Sequence, residues 1–432
     1  MKKFIAIAAL CIAQAATIMA QDVPWSLDQC VDYAIAHNID VARSRLSAYQ
    51  GELSVTEAKD RFLPNLSGYA GQSFNFGRGL TADNTYANRN TSSFSVGAQL
   101  SLPLFQGTTA IKRLKYSRTA LAALLEDVEA AKDDVTLNVI SQYLQALYAS
   151  EMLAVARENL AISRAELERR NTLLEAGKIP ELDIYEARSQ VSNDELSVVN
   201  AENDSIIALL DLAQMLNLPA DQPFAVAPLA DESLPLMSPE EVFANALASN
   251  HAMRAADIRV DAAAKNVALA KAAYIPTISF SAGLGTNYYK TSGYQNDSFG
   301  PQMRHNFAKS IGFNLSVPIF DAFGTRNNVR RARAEQVSAA LQLDDSRNRL
   351  YKAINQAYTQ AIGAGKKLES GRVAVQSARA AFEAMQVKYD NGKANATEYE
   401  KALSTYTTAR LQELQAKYES ILRIRILNFY NK

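Results

Sequence analysis

The sequence has few of the residues from which catalytic and metal sites are built. Its 432 residues include two cysteines and three histidines, and the histidines are far apart, at His37, His251 and His305. The spacings that hold zinc, phosphate or an activated serine (HExxH, CxxC, Walker A, GxSxG) are absent. Cys11 lies in an N-terminal apolar run, which leaves Cys30 alone and excludes an intrachain disulfide. The sequence therefore predicts neither an enzyme nor a cofactor.

Beyond the N-terminus, the sequence also lacks a long hydrophobic run. A membrane-spanning helix would need about 20 apolar residues in a row. The N-terminus itself has two lysines, an apolar run over Phe4–Met19 and a small residue, Ala20, which is typical of an export signal. We therefore predict a signal peptide over residues 1–20. Without Lys2 and Lys3, the 45 basic residues become 43, against 45 acidic ones, so nothing favours a nucleic-acid partner. Any insertion of this exported chain into a membrane must use strands.

The rest of the chain contains an internal repeat. Phe62–Leu66 aligns with Tyr274–Ile278 at an offset of 212 residues, and Gly177 aligns with Gly392 at an offset of 215. A repeat of this length indicates duplication of a whole structural unit. Each unit is expected to contain a helix, two strands, a long helix, a turn and a further helix. The predicted segments are a first repeat over residues 21–217, a proline-rich connector over 218–238, and a second repeat over 239–432.

Four segments alternate between apolar and small or polar residues. The clearest are Phe94–Leu104, Ile278–Leu284 and Ile311–Ile319, and the weakest is Leu66–Phe74. Alternation with period two predicts strands with one apolar face, which fits both a half-buried soluble sheet and a membrane barrel. The lengths favour the barrel, since a tilted membrane strand needs about 9–11 residues. Because four strands cannot close a barrel and open edges are not tolerated in lipid, other copies of the chain must complete it.

Two helices are too long for an ordinary globular core. No proline or glycine interrupts the 69 residues of Thr108–Ala176, which as a helix would be roughly 100 Å long. The counterpart, Thr325–Asn391, contains three glycines at which a bend is expected. Each stretch ends at a glycine, Gly177 or Gly392, that suits a helix C-terminus and predicts a helical hairpin. Such helices must pack on other long helices, and the hairpin turns are expected at the end opposite the strands.

The order of these motifs carries a family resemblance. Leu102–Phe105 and Val317–Phe320 read Leu-Pro-Leu-Phe and Val-Pro-Ile-Phe after the strands, and the glycine turns follow the long helices in both repeats. In this order the chain resembles the TolC-like outer membrane factors over nearly its whole mature length. The resemblance implies a mainly α protein with membrane β structure: an internally duplicated homotrimer whose 12-stranded β-barrel continues into a periplasmic α-barrel of 12 helices. The helix–strand junctions are expected at four prolines, Pro64, Pro103, Pro276 and Pro318.

The resemblance also implies a function. The trimer would sit in the lipid of the bacterial outer membrane, extend into the periplasm and form the exit duct of a tripartite efflux pump. It would passively conduct drugs or other small molecules received from a periplasmic adaptor and an inner-membrane pump. Two alternatives stay open at this point: the outer-membrane channel of a type I protein secretion system, and a periplasmic coiled-coil structural or adaptor protein.

The resemblance further places a closable gate at the hairpin turns, the periplasmic tip. Asp183, six residues after Gly177, matches an acidic gate position of the family, and Tyr389, three residues before Gly392, matches its partner tyrosine. Members of the family close the tip by polar links between hairpins of the same or neighbouring subunits. We therefore expect substitution of Asp183 or Tyr389 to loosen the closed tip.

Two more positions near the second turn are gate candidates. Where the family often has an arginine, this chain has Ala394, with Lys393 beside it. Glu398 stands where some members place a ring of carboxylates that selects cations. The alternative for Asp183 and Glu398 is that both are ordinary acids of a helix N-terminal turn, where the helix dipole stabilises negative charge.

Overall fold

The computed structural model describes residues 24–80, 84–219, 224–229 and 237–431. The predicted signal peptide and part of the predicted connector lie outside the described residues. The helices of the first half are α1 (Leu27–His37), α2 (Ile39–Asp60), α3 (Thr109–Glu175) and α4 (Glu181–Met215). Those of the second half are α5 (Pro239–Ser249), α6 (His251–Ala272), α7 (Phe299–His305), α8 (Gly324–Asp390) and α9 (Ala396–Tyr430).

Helix lengths repeat between the two halves. Both contain helices of 11, 22, 67 and 35 residues in that order, so the predicted internal duplication is confirmed. The compact units of the structure are not the repeats, however. Of the described residues, one unit comprises those up to Ser44, those within Val128–His251 and those from Arg347 onward, and the other comprises those within Arg45–Asp127 and Ala252–Ser346. Each unit therefore draws on both halves of the sequence.

Each half begins with two helices, and the expectation of a single helix before the first strand is wrong. The break falls at Asn38 and at Asn250, whose backbones are extended, with ψ of 137° and 119°. The side-chain oxygen of Asn38 accepts a hydrogen bond of 2.8 Å from the N–H of Asp40. Asparagine is favoured at this position because its side chain satisfies an amide that the helix start leaves unpaired.

The long helices run without interruption, including α8 through Gly363, Gly365 and Gly371. A Cβ atom at Gly371 would lie 3.3 Å from Cα of Glu413 in α9. Glycine here allows two helix backbones to approach closely, which gives this residue a packing role. None of the helices in the described part of the chain combines the length and hydrophobicity that a membrane span requires.

Four strands form one antiparallel sheet in the order β1-β4-β5-β6. Its strands are β1 (Asn65–Asn75), β4 (Thr91–Gln106), β5 (Thr277–Thr291) and β6 (Ala308–Ser316). A separate two-stranded sheet contains β2 (Arg78–Leu80) and β3 (Tyr86–Asn88). The register places Leu102 opposite Phe280, and Phe280 opposite Phe313, so one face of the sheet is apolar. The predicted alternation is confirmed, although β5 is longer than predicted and β6 ends before Ile319.

The free edge of β5 is closed by side chains. Pairing with β6 ends at Gly285, six residues before β5 ends. Beyond that point the amide of Asn306 donates to the carbonyl of Asn287 at 2.7 Å, and Gln302 exchanges two hydrogen bonds of 3.0 Å with the backbone of Tyr289. These amides pair backbone groups of β5 that the sheet itself leaves open, and so take the place of a neighbouring strand. The segment around α7 is thereby fixed along the sheet.

Three of the four predicted junction prolines lie at junctions. Pro64 and Pro276 directly precede β1 and β5, and Pro318 lies between β6 and α8. The prediction for Pro103 is wrong, because this residue lies inside β4. Proline is tolerated there since β1 pairs only as far as Ser101, and the ladder with β5 is irregular after Pro103.

A short clasp holds the start of the described chain against α3. Trp25 and Val226 form a parallel bridge, and the hydroxyl of Tyr143 donates to the carbonyls of Trp25 and Ala227 at 2.9 and 2.6 Å. Cys30 is fully buried nearby, and burial raises the pKa of its thiol to about 12. Within the predicted connector, residues 224–229 are thus held by backbone and side-chain hydrogen bonds.

Candidate functional site

Both hairpin turns are built in the same way. Gly177 and Gly392 have a φ of 68°, which lies in the left-handed region that favours glycine. The amide after each glycine donates back to a carbonyl of the long helix, Lys178 to Leu173 at 2.9 Å and Lys393 to Lys388 at 2.8 Å. These bonds satisfy carbonyls that would be unpaired at the helix end. The two glycines therefore end α3 and α8 as predicted from the sequence.

A buried arginine joins the two hairpins just inside these turns. The side chain of Arg170 on α3 is 1 % exposed, and its guanidinium binds Oε1 of Glu166 at 3.0 Å. The same group donates to Oε1 of Glu400 on α9 at 2.6 Å and to the backbone carbonyl of Asp183 on α4 at 3.2 Å. One side chain thus links both helices of the first hairpin to a helix of the second.

The carboxylates determine the electrostatics of this arginine. Burial by itself would lower the pKa of Arg170, because a charge is disfavoured away from water. The hydrogen bonds that Arg170 donates to Glu166 and Glu400 outweigh burial, so the pKa of Arg170 lies above its ordinary value. The charge is therefore permanent. A buried charge of this kind is stable only while its partners remain in place.

Arg169 and Tyr389 add a second set of links between the hairpins. The guanidinium of Arg169 lies 4.3 Å from the ring centre of Tyr389 and pairs with the carboxylate of Asp390 on α8 at 3.1 Å. The hydroxyl of Tyr389 donates to Glu166, and its ring stacks on Tyr399 at 4.8 Å. We call this set the Arg170 cluster: Glu166, Arg169, Arg170, Tyr389, Asp390, Tyr399 and Glu400.

Tyr389 is protonated throughout the neutral range. Burial, and after it the hydrogen bond to Glu166, raises the pKa of Tyr389 to about 12. The phenol must therefore be the donor to the carboxylate. This contact, like that of Arg170 to Glu400, crosses from one hairpin to the other.

The predicted gate residues take different places. Tyr389 belongs to the cluster, but within one chain it binds Glu166 and not Asp183. The backbone carbonyl of Asp183 binds Arg170, while its carboxylate has no hydrogen bond or ion pair within the described chain. The same is true of the ammonium group of Lys393. Glu398 accepts from the N–H of Asn395 at 3.1 Å, as the reciprocal member of a helix cap.

Sequence reasoning missed the arginines and their acidic partners. Arg169 and Arg170 lie eight and seven residues before Gly177, and the equivalent positions before Gly392 are Ala384 and Met385. A signal was therefore present, since two adjacent arginines precede the turn glycine of the first repeat and uncharged residues stand at the equivalent positions of the second. Glu166 precedes them by one helical turn, a spacing at which opposite charges meet on a helix.

An acidic groove of about 890 Å³ extends from the cluster along α3, α4 and α9. Five carboxylates line it and no basic side chain does: Glu166, Asp194, Asp204, Asp211 and Glu400. Arg170 compensates Glu166 and Glu400, so the excess negative charge of the groove comes from Asp194, Asp204 and Asp211, and it raises the local concentration of cations relative to anions.

These features define a class before any relative is considered: a subunit with one four-stranded sheet that is open at both edges within the described chain, long paired helices, and two hairpin turns joined by polar contacts. The family model described as "Outer membrane efflux protein" matches residues 31–218 and 242–422. The chain belongs to this family. It is an outer-membrane efflux channel protein with the family's β-barrel and α-barrel, so the predicted fold class and location are confirmed.

Individual relatives are distant in sequence and similar in fold. The outer membrane efflux protein BepC of Brucella suis is 23 % identical over 90 % of this chain and 81 % of its own length. The outer membrane protein TolC of Vibrio cholerae is 25 % identical over 89 % of this chain and 85 % of its own. The CmeC outer membrane channel of Campylobacter jejuni superposes with a TM-score of 0.78 at 18 % identity, over 94 % of this chain and 85 % of that one.

Proposed function

We propose that three copies of this chain form the exit duct of a tripartite pump, closed at its periplasmic tip by the Arg170 cluster. The duct is passive, and a periplasmic adaptor opens it while an inner-membrane pump supplies small molecules. The observation that carries the proposal is the burial of Arg170 between groups from two hairpins.

The sheet supports assembly from several copies. β1 and β6 are its edge strands, and neither has a partner on its outer side within the described chain. Apolar side chains of these strands are exposed, with Leu66 71 % and Phe313 71 % accessible. In lipid an open edge would leave backbone groups unpaired, so β6 of one copy must pair with β1 of the next. The number three follows from family membership.

The Arg170 cluster supports a closed tip. Opening a ring of hairpins requires adjacent hairpins to separate, and the contacts of Arg170 with Glu400, of Tyr389 with Glu166 and of Arg169 with Asp390 all cross such a boundary. Charge-assisted hydrogen bonds are among the stronger polar contacts, particularly away from water. Separation admits water, which can replace these contacts one by one. The cluster is therefore a latch that an adaptor bound at the tip can release without any chemical reaction.

Planar-bilayer conductance tests the latch. Arg170→Met keeps the length of the side chain and removes its charge, and we expect trimers of this variant to conduct more than wild type at the same voltage. Arg164→Met is the matched control, because Arg164 pairs with Glu195 at 2.8 Å inside the first hairpin and crosses no boundary. Equal conductance of wild type and both variants would refute the latch.

A further inference from the structure

The polar face of the sheet carries no charge. In the paired positions of the four described strands, this face presents glycine and small or uncharged polar side chains, apart from two large ones, Tyr69 and Tyr289. The opposite face is mainly apolar and also carries the two lysines of the paired positions, Lys290 and Lys309. Because a membrane barrel turns its apolar face to lipid, the polar face lines the bore. Solutes leaving through the bore therefore meet hydroxyl groups, amides, bare backbone and aromatic rings.

Tyr69 does not project from this face but lies across it. Its partner in the register is Gly97 on β4, and the partner of Gly97 is Gly285 on β5. A Cβ atom at Gly97 would lie 2.8 Å from the hydroxyl oxygen of Tyr69 and 2.9 Å from its ring carbon Cζ. A Cβ atom at Gly285 would lie 3.1 Å from the same hydroxyl. The ring therefore covers two adjacent strands. At Gly97 only glycine leaves room for it, and at Gly285 a methyl group would be in tight contact with its hydroxyl.

This arrangement has a structural consequence and a functional one. An aromatic ring over glycine shields the backbone and stabilises a sheet, as in aromatic rescue. The same contact keeps a large side chain flat against the wall, and Tyr69 is still 54 % exposed, so the outer side of its ring borders the bore. A side chain at either glycine would lift the ring away from the wall and narrow the passage.

We propose that Tyr69 is a shelf on the wall of the bore, and that Gly97 and Gly285 hold it flat and so determine the open width of the barrel. The inference rests on the proposed function as a duct. In the trimer three such rings lie at one level of a bore whose described strand positions carry no charge. This level selects solutes by size and not by the sign of their charge.

Single-channel conductance of Gly285→Ala tests the shelf. The substitution is measured in the background that conducts more, which is either wild type or Arg170→Met. We expect Gly285→Ala to lose conductance, and Gly285→Ala combined with Tyr69→Ala to recover it to the starting level or above. Gly285→Ala is preferred to Gly97→Ala, since a Cβ atom at Gly97 would lie 2.6 Å from the carbonyl of Leu284, whereas one at Gly285 would lie 3.2 Å from the carbonyl of Val96. Trimer migration on gels verifies assembly of each variant.

Gly71→Ala is the matched control. Gly71 lies on the same face of β1, and a Cβ atom there would lie no closer than 3.8 Å to Ser95, so conductance should not change. If Gly285→Ala conducts as before, or if Tyr69→Ala does not reverse its loss, the shelf is refuted while the duct stands. If Tyr69→Ala only lowers the melting temperature, its role is structural and the shelf is likewise refuted. A chain that conducts in neither background is not a duct, which overturns both proposals.

Discussion

The first hairpin, α3 to α4, and the second, α8 to α9, have helices of the same lengths and turn at a glycine with the same φ. Their second helices start differently. Asp183 and Glu398 are both the third residue of their helix, but the first helix is preceded by Pro180 and the second by Asn395. Proline has no N–H to give to a carboxylate, whereas Asn395 and Glu398 form a complete capping box. The carboxylate of Glu398 is therefore part of a helix cap, whereas that of the equivalent residue, Asp183, is not.

The charges before the turns differ in the same direction. The first hairpin has Arg169 and Arg170 where the second has Ala384 and Met385, and the second supplies Asp390 and Glu400 as acceptors. Duplication preserved the backbone, which depends on glycine and helix length. Divergence then gave the first hairpin the two arginines and the second hairpin the carboxylates of Asp390 and Glu400 that pair with them. The two hairpins are therefore complementary in charge, although their helix lengths and turn glycines are the same.

The largest expected effect comes from removing the donor. Arg170→Met leaves Glu166 and Glu400 without their buried partner, and breaking a buried pair in this way typically costs about 3 kcal/mol. Because Glu400 is partly exposed, we expect a value at or below that figure. Denaturant unfolding of detergent-solubilised protein measures it. Arg164→Met, which breaks an exposed pair, should cost less than about 1 kcal/mol, and equal losses in the two variants would contradict the difference between buried and exposed links.

The next largest loss of stability is expected from removing the N-terminal cap of α9. Asn395→Ala removes the acceptor of a 2.8 Å hydrogen bond from the N–H of Glu398, and loss of such a cap costs about 1 kcal/mol. Pro180→Ala, at the matched position of the first hairpin, removes no side-chain cap and should change the free energy of unfolding much less. Thermal unfolding of the two variants side by side measures the difference. A larger loss from Pro180→Ala would show that the helix starts are not distinguished by capping.

A smaller effect depends on alkaline pH. The pKa of Tyr389 is raised to about 12 by burial, whereas an unfolded tyrosine titrates near its ordinary value of about 10. Between these values the unfolded state has lost the proton that the folded state keeps, so stability falls as pH rises from 10 to 12. Tyr389→Phe lacks this contribution. Unfolding at several pH values should therefore show a shallower decline for Tyr389→Phe than for wild type, and parallel declines would contradict the shifted pKa.

The smallest effect on stability is expected at Asp183. Its carboxylate has no partner within the described chain, so Asp183→Ala should leave the melting temperature nearly unchanged. As a gate residue it would act between neighbouring copies, and conductance should then rise. Glu398→Ala should do the reverse, lowering stability through the lost cap without raising conductance. Unchanged conductance in Asp183→Ala would show that this acid is only a helix-start residue.

Local patterns were sufficient to predict much of the fold. The glycine-ended helices and the alternating strands were predicted because helix length and sheet facing depend on neighbouring residues. Pro103 was predicted to lie at a junction, but it lies inside β4. A proline is tolerated there because β1 begins to pair with β4 at Asn65, opposite Ser101, and Asn65 lies 38 residues before Pro103 in the sequence. The Arg170 cluster was missed for the same reason. Arg170 and Glu400 are separated by 230 residues, and no local pattern shows that α3 and α9 meet.

The most direct test of the latch is the distance between the two turns. Spin labels on Lys178→Cys and Lys393→Cys, in trimers with one labelled copy, report the separation of the exposed ends of the hairpins, and the buried Cys30 stays unlabelled. The latch predicts one short distance distribution in the otherwise wild-type chain. It predicts a shift to longer distances when Arg170→Met is added, and no shift with Arg164→Met. An unchanged distribution in Arg170→Met would contradict the claim that this arginine holds the hairpins together.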